Sequence, residues 1–232
     1  MPDPLAPQDN LLRPRREAGA SLIARHPKAS LMIAAAVGLL ASNLMRDGSD
    51  RQTLMLTPVV EAVLNDPETP RVGPPASPVT IVIFTDYQCP ICRRTDPALE
   101  RLLQGDGHVH VMFKDWPILG PGSRLAARTA LAADRQGRYL AMHRALMTTR
   151  LPLTEANMPA IARAADVDWP RLTVDLARDG VAIDRQLSHQ SQQAWSLGLE
   201  GTPAYLVGRI LVRGGLDERN LAKTVAEARR RP

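Results

Sequence analysis

The stretch Thr80-Ile81-Val82-Ile83-Phe84-Thr85-Asp86-Tyr87-Gln88-Cys89-Pro90-Ile91-Cys92 decides how the rest of the chain is read. Val79 to Phe84 is rich in β-branched residues and apolar on both faces, as a central strand buried on both sides would be. A short turn follows, then two cysteines, two residues apart, at the mouth of a helix. The continuation Arg93-Arg94-Thr95-Asp96-Pro97-Ala98-Leu99-Glu100-Arg101-Leu102-Leu103 has helical spacing, with Leu99, Leu102 and Leu103 on one stripe. A cysteine at a helix N-terminus faces unpaired N–H groups and the positive end of the macrodipole, both of which favour thiolate. The chain has 232 residues and no other cysteine. Two cannot staple a fold of this size, so the pair reads as functional. Structural zinc would need two further ligands, and neither Cys nor a close His pair supplies them.

C-terminal to the cysteine helix, Gln104-Gly105-Asp106-Gly107 is a turn, and His108 to Phe113 alternates like a second strand. Strand–helix–strand implies a right-handed parallel crossover. From Pro121 to Gly198 the spacing turns helical. Ser123 is the expected N-cap of a helix over 124–136, and a second runs from Arg138 to Met147. Thr154 caps a third reaching Ala165. Asp168 opens a fourth that ends at Gly180, and Ile183 to Leu197 forms a fifth. Ala204 to Val207 and Ile210 to Arg213, joined at Gly208-Arg209, make an antiparallel hairpin. Asp217 caps a last helix to about Arg229. The fold class is therefore α/β: βαβ, an all-α insertion at about 121–198, then ββα.

N-terminal to the decisive stretch, residues 1–28 form a Pro-rich polar tail, expected to be cytoplasmic. Ala29 to Met45 carries no charge over 17 residues. As a helix it would span roughly 26 Å, just short of a hydrocarbon core of about 30 Å. Arg13, Arg15, Arg16, Arg25 and Lys28 precede it, whereas Arg46 and Arg51 are matched by Asp47 and Asp50; this bias puts the remainder of the chain outside the cytoplasm. Signal cleavage wants small residues one and three positions before the cut, and a cut after Ala41 or Ser42 puts Leu39 or Leu40 at the third position. Residues 29–45 are thus expected to be a transmembrane anchor rather than a cleaved signal segment, with a buried helix as the remaining option. Residues 46–77 read as a linker with a short helical pattern (Val59, Val60, Val63, Leu64), and the domain proper as 78–232. A hydrophobic fraction of 44% suits a packed core. The net charge of +5 and pI near 9.7 come from scattered basic residues with 3% aromatics, a solvated surface rather than a nucleic-acid site.

Cys89-Pro90-Ile91-Cys92 after a buried strand, a helical insertion, and Gly201-Thr202-Pro203 before a hairpin together resemble the DsbA-like thiol–disulfide oxidoreductases of the thioredoxin superfamily. Asp86-Tyr87-Gln88, Lys114 to Gly120, Ser123 to Ala127, Gln136 to Tyr139, His143 to Met147, and Leu64 to Pro67 with Gly73-Pro74 extend the likeness over roughly 60–230. The resemblance implies a thioredoxin fold and a cis bond between Thr202 and Pro203 beside the cysteines. It implies catalytic roles for Cys89, as attacking or attacked sulfur, and Cys92, as its resolving partner. Thr202, Pro203, Pro90 and Ile91 then form the surface that meets substrate. No cofactor or metal is implied. The expected partners are cysteine-containing exported proteins and a membrane redox partner that reoxidises or reduces the dithiol. The expected place is the periplasmic side of a bacterial envelope. Pro97 should kink the cysteine helix.

Two departures from the family pattern bear on tuning. Pro90-Ile91 replaces the Pro-His of strongly oxidising relatives, and Ile91 offers no charge or donor to a thiolate. Ile83 stands six residues before Cys89, where many relatives carry a buried acid. Asp86, expected to be exposed in the turn, is no substitute. A free cysteine titrates at about 8.5, and a helix terminus supplies only about 0.3–1 kcal/mol towards thiolate. Arg93 and Arg94 are the local cations available, with solvated surface as their other reading. His108 and His110 share one strand face expected to be exposed; His143 and Met142 read as packing. A different class of function is a membrane-tethered protein holding a soft ion such as Cu(I) between the same thiols.

Overall fold

The computed structural model describes residues 51–230. The expected tail and apolar segment at 29–45 lie outside these residues; among those described, no helix is long and apolar enough to cross a membrane.

The central strand, β3 (Val79–Thr85), is flanked by β4 (Val109–Asp115) in parallel and β5 (Ala204–Val207) in antiparallel. β6 (Ile210–Arg213) completes the hairpin with β5. Two short strands from the region read as linker join the sheet. β1 (Arg51–Thr53) pairs with β6, and β2 (Arg71–Val72) pairs with β4, giving the order β1-β6-β5-β3-β4-β2. Between them, α1 (Pro58–Leu64) is capped by the Thr57 hydroxyl on Val60 N–H and buries Val60 and Val63. The folded unit therefore includes residues that proline content alone marks as connector.

Alternation along β3 sorts its side chains onto two cores. Val79, Ile81 and Ile83 face a large cluster that includes both cysteines, while Val82 and Phe84 face a second one with Val60, Val63, Trp116 and Leu199. Burying one such side chain is worth about 1.5–3 kcal/mol, so this strand is the main anchor of the fold. The helix that follows, α2 (Pro90–Gly105), takes Cys89 as N-cap and Pro90 at its first turn, and it continues through Pro97.

The insertion holds four helices, not five: α3 (Pro121–Asp134), α4 (Tyr139–Thr148), α5 (Met158–Ala164) and α6 (Trp169–Ser196). The expected break at Gly180 is absent, and α6 runs 28 residues from its Asp168 cap, whose carboxylate accepts Arg171 N–H. A methyl group at Gly180 would sit 3.0 Å from the Arg128 guanidinium, which reaches across from α3 to pair with Asp184. The glycine lies inside the helix, beside a neighbour's side chain, and does not end it. Ser123 is not an N-cap either: α3 starts at Pro121, and the Ser123 hydroxyl is engaged elsewhere. Thr154 lies in a turn ahead of α5, which starts after Asn157. The last helix, α7 (Glu218–Arg229), is capped by Asp217 on Asn220 N–H.

Lys114 on β4 is fully buried, its ammonium 2.5 Å from Asp66 and 2.6 Å from Thr69. Burial works against both charges. The hydrogen bond and attraction of Lys114 nevertheless hold the Asp66 carboxyl below the usual carboxylate range, and the contact ties residues 66–71 to the sheet.

Candidate active site: a dithiol at the head of α2

Both cysteines are free thiols and both are buried. The end of β3, the head of α2 and the start of β5 bring them together with Thr202 and Pro203. The Thr202–Pro203 peptide bond is cis. The Cys89 thiol donates to the Thr202 carbonyl at 3.3 Å and accepts the Cys92 backbone N–H at 3.4 Å. The N-cap function usually filled by a hydroxyl or carboxylate is filled here by sulfur.

Cys92 differs. Burial pushes its thiol up to about 12, against the opposing pull of the Asp86 backbone N–H and the Thr85 and Thr202 side chains. Pro90 and Ile91, between the cysteines, face outward, with Ile91 40% exposed. Gly215 packs tightly behind them: a Cβ there would fall 2.6 Å from the Thr95 methyl and 2.9 Å from that of Ile91. Exposed Ile118 and Leu119 continue an apolar rim beside the turn that leads into Cys89.

Asp86, expected to be exposed, is buried and organises that turn. Its carboxylate accepts N–H groups of Gln88, Ile118 and Leu119 at 2.8–2.9 Å and the Ser123 hydroxyl at 2.6 Å. The Ser123 hydroxyl also bonds the Gln88 side chain. One carboxylate thus ties the β3–α2 turn to the loop before α3.

Arg93 is not a surface cation and does not turn towards the sulfurs. It donates to the carbonyls of Tyr87, Thr149 and Leu146 at 2.6–2.9 Å, stitching α2 to α4. Arg94 is exposed. Beyond Arg93 lies a buried polar cluster. His143 contacts Asp96 through Nε2 at 3.0 Å and the Tyr87 hydroxyl through Nδ1 at 3.2 Å, and the Tyr139 hydroxyl donates to Asp115 at 3.1 Å. Burial raises Asp115 to about 7 despite the nearby His143 and the two tyrosines. His143 packs as expected, but as a hydrogen-bonded hub. His110, on a face expected to be exposed, is instead buried, with Nδ1 3.2 Å from the Gly73 carbonyl; His108 is exposed. Among the described residues no three His, Cys, Asp or Glu side chains gather as metal ligands.

A family model described as the DSBA-like thioredoxin domain matches residues 80–226. Solved structures agree. A thioredoxin-like oxidoreductase from Silicibacter pomeroyi is 37% identical, with a TM-score of 0.70 over 74% of this chain and 98% of that one. A periplasmic thioredoxin-like protein from Salmonella enterica is 31% identical, with a TM-score of 0.64 over 76% and 99%. The thiol–disulfide exchange protein α-DsbA2 of Wolbachia pipientis is 27% identical, with a TM-score of 0.69 over 72% and 90%. Among curated proteins, one named Na(+)/H(+) antiporter NhaA 3 from Salinispora tropica is 30% identical over 72% of this chain. The chain spans 26% of that relative's length. The chain belongs to the DsbA-like family of the thioredoxin superfamily.

Proposed function

We propose that the protein exchanges disulfides with cysteines of exported proteins outside the cytoplasm, through Cys89 and Cys92. The observation that carries this reading is the asymmetry of the two sulfurs. Cys89 sits at the helix terminus and takes the Cys92 N–H, whereas burial keeps Cys92 protonated at neutral pH. In the oxidising direction, a substrate thiolate attacks Cys89 Sγ of the Cys89–Cys92 disulfide. The S–S bond breaks, Cys92 departs as thiolate and takes a proton, and a mixed disulfide joins Cys89 to substrate. A second substrate thiolate then attacks the substrate sulfur of that bond, and Cys89 leaves. The substrate loses two electrons and the dithiol gains them. Reduction runs the same steps backwards, and a membrane redox partner restores the dithiol.

Pro203 has no N–H to donate, and beside Cys89 it leaves neighbouring backbone to pair with an extended substrate strand. The outward Pro90 and Ile91, with Ile118 and Leu119, give that strand an apolar bed. The charge bias around residues 29–45 supports an extracytoplasmic site and a membrane anchor, and the related periplasmic protein supports the compartment. The test is oxidation of a reduced, unfolded protein by the pre-oxidised chain, with Cys89→Ser as control. Wild type is expected to outpace the variant by at least about a hundredfold; equal rates would end the proposal.

A further inference from the structure

Thr85 closes β3 and is the one fully buried polar side chain of that strand, Thr80 being only half-buried. It is 1% exposed, yet no protein nitrogen or oxygen partners its hydroxyl, which is left with only a pull on the Cys92 sulfur. Native structures seldom leave a buried hydroxyl so, and where they do, a state with a partner is worth seeking. The strand's two-residue period shows where the hydroxyl points. Val79, Ile81 and Ile83 share the cluster that holds both cysteines, so Thr85 points to the same side, two residues nearer the sulfurs than Ile83. Its backbone is fixed, in register with Asp115 of β4 and with its carbonyl accepting Trp116 N–H at 2.8 Å. One step beyond the Phe84–Ala204 pair, it lies across from Pro203 on the other side. Thr85 therefore stands between the β4 anchor and the Thr202–Pro203 bond, at the level of Cys92.

We propose that the Thr85 hydroxyl is the hydrogen-bond donor that receives Cys92 when that sulfur is a thiolate, both as it leaves the Cys89–Cys92 disulfide and as it returns to resolve a mixed disulfide at Cys89. The inference rests on the dithiol reading above. A thiolate accepts hydrogen bonds and gives none, whereas a hydroxyl can turn its proton towards it. The Thr202 side chain and the Asp86 N–H act on Cys92 in the same direction, against its burial. Ile83 occupies the position below, and the Arg93 guanidinium is spent on three carbonyls. A neutral hydroxyl thus stands in for an ionisable group.

The experiment follows release of glutathione from a preformed Cys89–glutathione mixed disulfide, in which Cys92 Sγ attacks Cys89 Sγ, the new S–S bond forms and glutathione thiolate departs. Release is timed from pH 6 to 9 in the full chain and in Thr85→Val, Thr85→Ala and Thr85→Ser. Thr85→Val and Thr85→Ala are expected to slow release about tenfold at each pH, the factor that matches one pKa unit, and Thr85→Ser to restore it. Alkylation of Cys89 in a Cys92→Ser background should not change with Thr85→Val. Equal release rates in the parent and Thr85→Val, failure of Thr85→Ser to rescue, or altered Cys89 alkylation would each overturn the proposal. Glutathione release needs no protein substrate. A chain that releases glutathione but leaves an unfolded protein reduced would defeat the function proposed above while leaving Thr85 to be judged on its own.

Discussion

Around the two sulfurs the groups that act on Cys92 are neutral, whereas one helical turn further along α2 the interior fills with ionisable ones. Cys92 is met by the Thr85 and Thr202 side chains and a backbone N–H. Asp96, four residues on, joins His143, Tyr87, Tyr139 and Asp115 in a buried chain of contacts, with Arg93 bonded alongside. The difference separates two tasks. Polar side chains hold the cysteine helix to the insertion, where multiple buried hydrogen bonds fix geometry. Neutral donors serve the thiols, where a fixed full charge would commit the pair strongly to one redox state.

Variants in the charged region should therefore cost stability and spare thiol chemistry. His143→Ala takes from buried Asp96 its hydrogen-bond partner and leaves the Tyr87 hydroxyl only its longer contact with Tyr139. A loss of about 2–4 kcal/mol is expected, read as a fall in Tm of roughly 5–15 °C. Glutathione release from Cys89 should stay within about twofold at a temperature where both proteins are folded, and a parallel collapse of that rate would erase the contrast. Arg93→Ala removes three bonds to carbonyls from a half-buried side chain and should cost about 1–3 kcal/mol in urea unfolding, again sparing the exchange rate.

Asp115 sharpens the comparison through pH. Its folded value of about 7 lies above the ordinary 3.8, so the native state holds this proton more tightly than the unfolded chain does. That contribution to stability is complete below about pH 4, shrinks as pH rises towards 7, and is gone above it. Asp115→Asn should flatten the decline in unfolding free energy between pH 4 and 7; an unchanged slope would show that the carboxyl is not the group responsible. The smallest effect belongs to Arg94→Ala. As an exposed cation it should shift stability by less than about 0.5 kcal/mol and exchange by less than twofold.

What the sequence revealed follows the range of the forces involved. β3, the cysteine-headed helix, the Gly208-Arg209 hairpin and the Asp217 cap all rest on patterns a few residues long, and each stands where those patterns put it. Cys89, Cys92, Thr202 and Pro203 do meet in space. Long-range pairing was out of reach. Gly180 reads as a helix end in sequence, whereas α6 runs through it against Arg128 of another helix. Lys114 finds its counter-charge 48 residues away, and Asp86 gains its burial from residues 118–123. Arg93 next to a cysteine invited an electrostatic role, yet two of its three acceptors lie more than 50 residues on. Thr85 did leave a trace: a hydroxyl after the apolar run Ile81 to Phe84, just ahead of the cysteines.

The two short strands at the sheet's borders have a consequence of another kind. β1 covers Ile210 to Val212 on one margin, and β2 covers Val111 and Met112 on the other. Both belong to the stretch that a boundary drawn at Pro78 would discard. A chain trimmed there would keep its cysteines and its cis proline but present raw β-margins, which seek out the margins of other molecules. It would also strip Lys114 of Asp66. Residues 51–77 thus cap both margins of the sheet and shield them from edge-to-edge pairing.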